Sequence, residues 1–310
     1  MENPGMRSTV LLILAAAIWG FAFVAQRAGM AHIGPFAFNA VRFMLGALSL
    51  TPLFVISRNK TLLFSDDSKS PRNSSIFFPG LSAGVVLFMG SSLQQIGIVY
   101  TTAGKAGFIT GLYLIYVPIL GFFWRKRSQL NAWLGAVIAV IGLYLLSVTE
   151  QFTIGKGDFL VFTSAFFWAV HVQLIGWLSL KCNVLKLAFS QYLTCAVLSL
   201  IAALLWEEFS FQSIIAARIP ILYGGIASVG IAYTLQVFGQ RHAHPTNAAI
   251  ILSLEAVFAA LEGWLVLSET MAPRGLIGCA LMLAGMLLSQ IKIKPGWAGK
   301  MLKLKNRSTP

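Results

Sequence analysis

PTNAAIILSLEAVFAALEGWLVLSE, residues 245–269, is the stretch whose reading decides the fold. Its apolar run is about 23 residues long before a charge-bearing turn, against the roughly 20 that a helix needs to cross a bilayer. Inside it sit Glu255 and Glu262. Seven residues apart, they fall nearly on one helix face. A carboxylate near the bilayer centre costs on the order of 3 kcal/mol. A stripe of two is therefore expected to face protein or water, not lipid.

The rest of the chain reads the same way. Of 310 residues, 57% are hydrophobic and 11% charged, with mean hydropathy +0.78. A soluble domain is about 45–50% apolar and about 25% charged, so this is an all-α polytopic membrane protein. A net charge of +13 would suggest nucleic acid in a soluble chain. Here Lys and Arg gather in short loops and at the tail, so topology explains them and no nucleic-acid partner is expected. Cys182, Cys195 and Cys279 are odd in number and well separated. They suggest neither a disulfide framework nor a metal site. The first apolar run, 9–25, is long for a signal peptide and lacks a clean A-x-A exit, so it reads as a span.

Hydropathy gives ten spans: 8–28, 35–56, 76–98, 102–124, 130–148, 157–179, 185–205, 219–240, 245–267 and 272–291. Pro35, Pro220, Pro245 and Pro273 mark starts, where a first-turn N–H has no helical partner anyway. Alternating spans put seventeen Lys and Arg on the side of the N-terminus. They leave six on the other: Arg27, Arg42, Lys105, Lys156, Arg218 and Arg274. The positive-inside rule then places both termini in the cytoplasm of a multi-pass inner (plasma) membrane protein. The basic tail, 292–310, either lies on anionic headgroups or is a solvated tail. The polar loop 57–75 reads as a flexible cytoplasmic connector. Asn73 and Asn306 begin sequons that would be cytoplasmic, hence chance matches.

The two halves align. SSLQQIGIVYTTAGKAGFITGLYLIYVPILGFF (91–123) matches YTLQVFGQRHAHPTNAAIILSLEAVFAALEGWL (233–265) at a constant offset of 142. Gln94 pairs with Gln236, Gly97 with Gly239 and Gly121 with Gly263. Trp19 pairs with Trp168 at an offset of 149, and Arg42 then pairs with Gln191. The halves are 8–148 and 157–291, with five spans each. An odd number makes the second copy enter the membrane from the opposite side. Such inverted repeats occur in many secondary transporters, with substrate sites near the midplane.

LAAAIWGFAFVAQRAG, FNAVRFMLGAL, TTAGKAGFITGLYLIYVPIL and ILSLEAVFAALEGWLVLSE resemble the EamA branch of the drug/metabolite transporter superfamily. The resemblance covers nearly the whole chain. It implies ten helices in two inverted five-helix repeats around a central cavity. It also implies a secondary transporter of small metabolites, amino acids or related compounds leading, with export ahead of uptake. The family often has Pro after the glutamate matching Glu255, where this chain has Ala256. Glu262 departs from a usually apolar position.

Glu255 aligns with Tyr113, and Glu262 with Leu120. Tyr113 and Tyr116 share a helix face, so two phenols are expected opposite the carboxylates. Glu255 reads as a ligand for a substrate amine or a proton, or as a packing residue bonded to a neighbour. Glu262 is the second proton-coupling candidate. Gln94 and Gln236 offer donors and acceptors without charge, as cavity contacts or as interhelical glue; Gln95 and Tyr233 could add contacts. Trp19 and Trp168 could be aromatic walls for the ligand, interfacial anchors, or plain packing. His171 reads as a packing residue or a proton relay. Arg42 either snorkels outward or binds a substrate carboxylate. Pro118 should kink span four. Gly80/Gly84 and Gly107/Gly111 should let helices approach closely. An intramembrane enzyme would need H-E-x-x-H, G-x-S-x-G or a similar site, and a pump would need a Walker loop. Neither motif occurs, so an enzyme, a cofactor and ATP use are not expected. Oligomeric state stays open, a homodimer included.

Overall fold

A computed structural model of the protein describes residues 4–54, 76–123, 128–147, 155–208, 210–266 and 272–291, the side chains of 4, 147 and 262–266 excepted. The 57–75 loop, Arg125 to Arg127, Glu269 and the 292–310 tail lie outside the described residues, as does the Glu262 side chain.

Apolar sequence in a bilayer must satisfy its backbone internally, and helices do so within one segment. The described residues form helices and no strand. They are α1 Pro4–Gly29, α2 Pro35–Ser49, α3 Phe77–Tyr100, α4 Ala103–Gly111, α5 Tyr113–Phe123, α6 Leu130–Ser147, α7 Lys156–Leu178 and α8 Val184–Trp206. Then follow α9 Phe211–Ala216, α10 Arg218–Leu222, α11 Tyr223–Tyr233, α12 Thr234–Gln240, α13 Pro245–Leu252, α14 Glu255–Val266 and α15 Pro273–Gln290. Among the described residues, eight helical stretches are long and apolar enough to cross a membrane, and they coincide with eight of the expected spans. The regions of expected spans five and nine hold the shorter apolar helices Leu130–Leu146 and Pro245–Leu261. Side chains such as Leu204 and Phe122 point outward, 68% and 66% exposed, as a lipid-facing surface requires.

Caps fix the ends. Pro35, Pro245 and Pro273 occupy first-turn positions, whereas Pro220 is the third residue of α10. Thr102 accepts from the Lys105 amide and Asn183 from the Lys186 amide. Glu207, just past α8, accepts from the Phe36 and Ala37 amides, both at 2.8 Å, at the α2 N-terminus.

Packing is selective. α3 lies against α7 and α8; α1 against α11, α12 and α14; α2 against α8 and α11; α5 against α7 and α13; α6 against α15. Glycines set the closest approaches. A Cβ on Gly84 would lie 2.9 Å from the Gln191 carbonyl oxygen, and one on Gly225 3.1 Å from that of Arg42. Gly142 and Gly278 are equally reciprocal: a Cβ on either would strike the other's carbonyl oxygen, at 2.5 and 2.6 Å. Gly80 abuts Ser190, so the Gly80/Gly84 face does face a close neighbour; Gly107 has only Phe23 at 3.7 Å.

Two spans are interrupted. Between α4 and α5 the chain tightens at Leu112, whose amide reaches Ile109 O at 3.2 Å. Between α13 and α14 the Leu254 amide reaches Ile251 O at 3.1 Å. The expected irregularity at Pro118 is thus joined by a break six residues earlier, while α5 runs on through Pro118. A third irregularity is α11, eleven residues of π-helix containing Gly224, Gly225 and Gly230. Its wider turns release carbonyls from the regular ladder.

Candidate functional site

The breaks meet at a central cavity. Tyr113 and Glu255 are the first residues after their interruptions, and both line it. So do Trp19, Phe23 and Gln26 from α1, Arg42 from α2, Gln94 from α3 and Trp168 from α7. Ser228, Tyr233 and Gln236 close it from the α11–α12 side. Its volume is about 50 Å³. That holds a few waters and is far below the several hundred Å³ of a metabolite pocket. The protein is drawn tight around its centre in this conformation.

An amide–indole network fixes one wall. Gln94 Oε1 accepts from Trp168 Nε1 at 2.8 Å and from the Thr110 hydroxyl at 3.3 Å, while its Nε2 donates to Gln26 Oε1 at 3.1 Å. Gln95 Nε2 donates to the Gln26 carbonyl at 3.3 Å. On the opposite wall Trp19 Nε1 donates to Ser228 O at 3.3 Å, a carbonyl within the π-helical turns. Tyr233 joins the walls, stacked on Trp168 at 6.0 Å and edge-on to Trp19 at 4.7 Å between ring centroids.

Charge is placed here without mutual neutralisation. Arg42 is 1% exposed. Its Nε donates to Asn39 Oδ1 at 2.9 Å, and its guanidinium lies 4.9 Å from the Phe43 ring centroid and 5.5 Å from that of Phe38. Glu255 is 5% exposed, and its Oε1 has no hydrogen-bond partner. Tyr113 Oη and Gln236 Oε1 lack partners too. Neither Arg42 nor Glu255 has an ion-pair partner among the described residues.

The expected site residues separate into two groups. Glu255, Tyr113, Gln94, Gln236, Trp19 and Trp168 come together around the cavity. Tyr116 does not line it; its ring packs edge-on against Phe162 and Phe166 at 5.7 and 6.2 Å. His171 sits behind the wall, fully buried, with Nε2 2.9 Å from Gln191 Oε1 and its ring edge-on to Trp168 and Tyr233. It braces the two aromatic rings that face the cavity. Phe23, Gln26 and Ser228 line the cavity without having been expected there, and Gln26 is the polar side chain among them that ties into the network. Its signal was present, since Trp19, Phe23 and Gln26 follow i, i+4, i+7 on one helix face.

The model of the EamA-like transporter family matches residues 6–148 and again 155–290. The chain belongs to that family. An Archaeoglobus fulgidus protein described as an uncharacterized transporter is 30% identical over 91% of this chain and 85% of its own. The Bacillus subtilis uncharacterized transporter YoaV is 22% identical over 90% of this chain and 94% of its own. A solved crystal structure superposes with a TM-score of 0.72, covering 91% of this chain and 96% of that one at 18% identity. At that identity the likeness shows the fold alone. As an EamA-like protein with transporter relatives, the chain is a multi-pass membrane transporter.

Proposed function

We propose that this EamA-like protein is a secondary transporter of amino acids and related zwitterionic metabolites, working by alternating access across the inner (plasma) membrane. The observation that carries the reading is the unneutralised pair in one cavity. A buried guanidinium and a buried carboxylate are each costly without a partner. A ligand with a carboxylate and an ammonium group supplies both partners at once. Arg42 takes the carboxylate, Glu255 takes the amine, and Tyr113 and Gln236 offer the remaining polar contacts. The Trp19, Trp168 and Tyr233 rings accept an apolar side chain or stack on the cation. Between substrates, Glu255 is the group available to carry a proton; Glu262 is the second candidate for coupling.

The two halves, 8–148 and 157–291, are read as inverted five-helix repeats, ten spans in all. The packing supports this. Exchanging the halves turns α3 on α7 into α12 on α1, α3 on α8 into α11 on α2, and α5 on α7 into α14 on α1. The contacts of Gly97 with Val161 and Gly157 become those of Gly239 with Leu12 and Ser8. The breaks at Leu112 and Leu254 are 142 residues apart, the repeat offset. Discontinuous helices at the repeat interface suit a midplane substrate site.

Export is the preferred direction. A recess of about 560 Å³ opens on the face carrying the N-terminus, between Thr9, His244, Asn247 and Gln290. The positive-inside reading makes that face cytoplasmic. Ile251 lines the recess and its neighbour Leu252 the cavity, so the two lie on either side of α13 at one level of the helix. Counterflow in proteoliposomes tests the reading directly. Radiolabelled amino acid should exchange against unlabelled amino acid, and an imposed proton gradient should drive net movement. No exchange with any zwitterion, alongside exchange with a purely anionic or cationic solute, would overturn the assignment.

A further inference from the structure

The outer face, opposite the recess, is tied shut. Thr101, at the end of α3, donates to Asp158 Oδ1 at 2.5 Å. Lys105 Nζ lies 3.9 Å from Asp158 Oδ2, and the same oxygen caps α7 by accepting from the Gly155 amide at 2.8 Å. Nearby, the Arg27 guanidinium at the end of α1 donates to the Ile98 and Val99 carbonyls at 2.6 and 2.7 Å.

The repeat offsets carry this cluster onto the other face. Thr101 and Lys105, moved by 142, become Ala243 and Asn247. Asp158, moved back by 149, becomes Thr9. All three of those residues line the 560 Å³ recess. There the Thr9 hydroxyl is turned away, donating to Gly5 O at 3.0 Å and to Gln290 Oε1 at 3.1 Å. The same junction is thus closed by contact on one face and held apart on the other.

We propose that Thr101, Lys105 and Asp158 are the outer gate of the transport cycle, and that Thr9, Ala243 and Asn247 are its inner counterpart, engaged when the outer one parts. The proposal rests on the inverted-repeat, alternating-access reading above. Its further content is an inequality. The outer closure combines a charge-assisted hydrogen bond with an ion pair. Its inner counterparts, Thr9, Ala243 and Asn247, carry no charge at these positions. The unloaded protein therefore rests with its outer side shut, and the charge difference between the gates sets that bias.

Two cysteine reporters test it, in a chain whose Cys182, Cys195 and Cys279 are replaced by Ser. Ala22→Cys reports the cavity and Ile251→Cys the floor of the recess. A membrane-impermeant thiol reagent is applied from one side at a time, in right-side-out and inverted vesicles. With the gate intact, Ala22→Cys should be protected from the outer side and Ile251→Cys reactive from the N-terminal side. Asp158→Asn should raise the first rate and lower the second by about two- to fivefold, the range for a partly exposed ion pair. Lys105→Gln leaves the Thr101 bond and the α7 cap in place. It should move both rates the same way by less, which covers the case in which Asp158→Asn fails to fold. Rates unchanged in Lys105→Gln, or both rates rising together, overturn the proposal. Labelling needs no substrate. Opposed rate changes without transport of any zwitterion would uphold the gate and remove the substrate reading.

Discussion

Tyr113 and Glu255 stand 142 residues apart in sequence, each starting a helix just after a one-turn break, and both face the same cavity with an unpartnered oxygen. The pair of breaks delivers a phenol from one half and a carboxylate from the other to one volume. Both oxygens lack a hydrogen-bond partner in this conformation.

Glu255→Gln keeps the shape and removes the charge. Zwitterion affinity should fall about 10- to 100-fold, the scale of a lost charge-assisted hydrogen bond. Proton-driven uptake into vesicles should be lost while counterflow at saturating substrate persists. A substrate-induced rise in melting temperature, wild type against variant, measures the binding part.

Arg42→Gln is expected to act on the other end of the ligand. Amine-only analogues, such as decarboxylated amino acids, should bind wild type and variant alike, whereas the parent amino acid should lose about tenfold or more. Competition against labelled substrate separates the two. Equal losses for both ligands would mean that Arg42 braces α2 through Asn39 and the Phe38 and Phe43 rings instead.

Gln94→Leu removes the acceptor that orients the Trp168 indole. With Trp168 Nε1 left buried and unpaired, stability should drop by about 1–3 kcal/mol, read as a lower melting temperature in detergent. Gln94→Glu preserves the acceptor and should restore the indole contact, read as recovery of the melting temperature, even where transport is not recovered.

Fusion of reporters to the two ends of the chain tests the topology. The proposed ten-span arrangement predicts both on one side, and the positive-inside rule predicts that side to be the cytoplasm. Ends on opposite faces would remove the inverted-repeat reading, and the gate with it.

Much of this was legible beforehand, for identifiable reasons. Spans follow from hydropathy because a bilayer demands about 20 apolar residues per crossing. Gln94, Gln236 and the two tryptophans were visible because polar and aromatic residues repeat at the same offset in both halves. The breaks were less so. Gly111 stands directly before Leu112 and weakens the helix there, whereas Ser253 and Leu254 carry no proline or glycine. Pro118, the obvious candidate, lies within a helix that continues. Gly111 was a readable signal for the first break, and for the second, at Ser253 and Leu254, local propensity carries none. Spacing puts Tyr116 on the cavity side of Tyr113, but three residues leave it about 60° round the helix, and its ring packs against Phe162 and Phe166 instead. Gln26 was overlooked because a lone amide near the end of a span resembles an interfacial residue.

The crossing of α6 and α15 has a mechanical consequence. Gly135 meets Gly285 and Gly142 meets Gly278, backbone to backbone. Interlocked side chains would have to unmesh for one helix to roll over another. Bare peptide surfaces need not. On the alternating-access reading proposed above, this glycine-lined seam is where one helix can roll on the other with least obstruction.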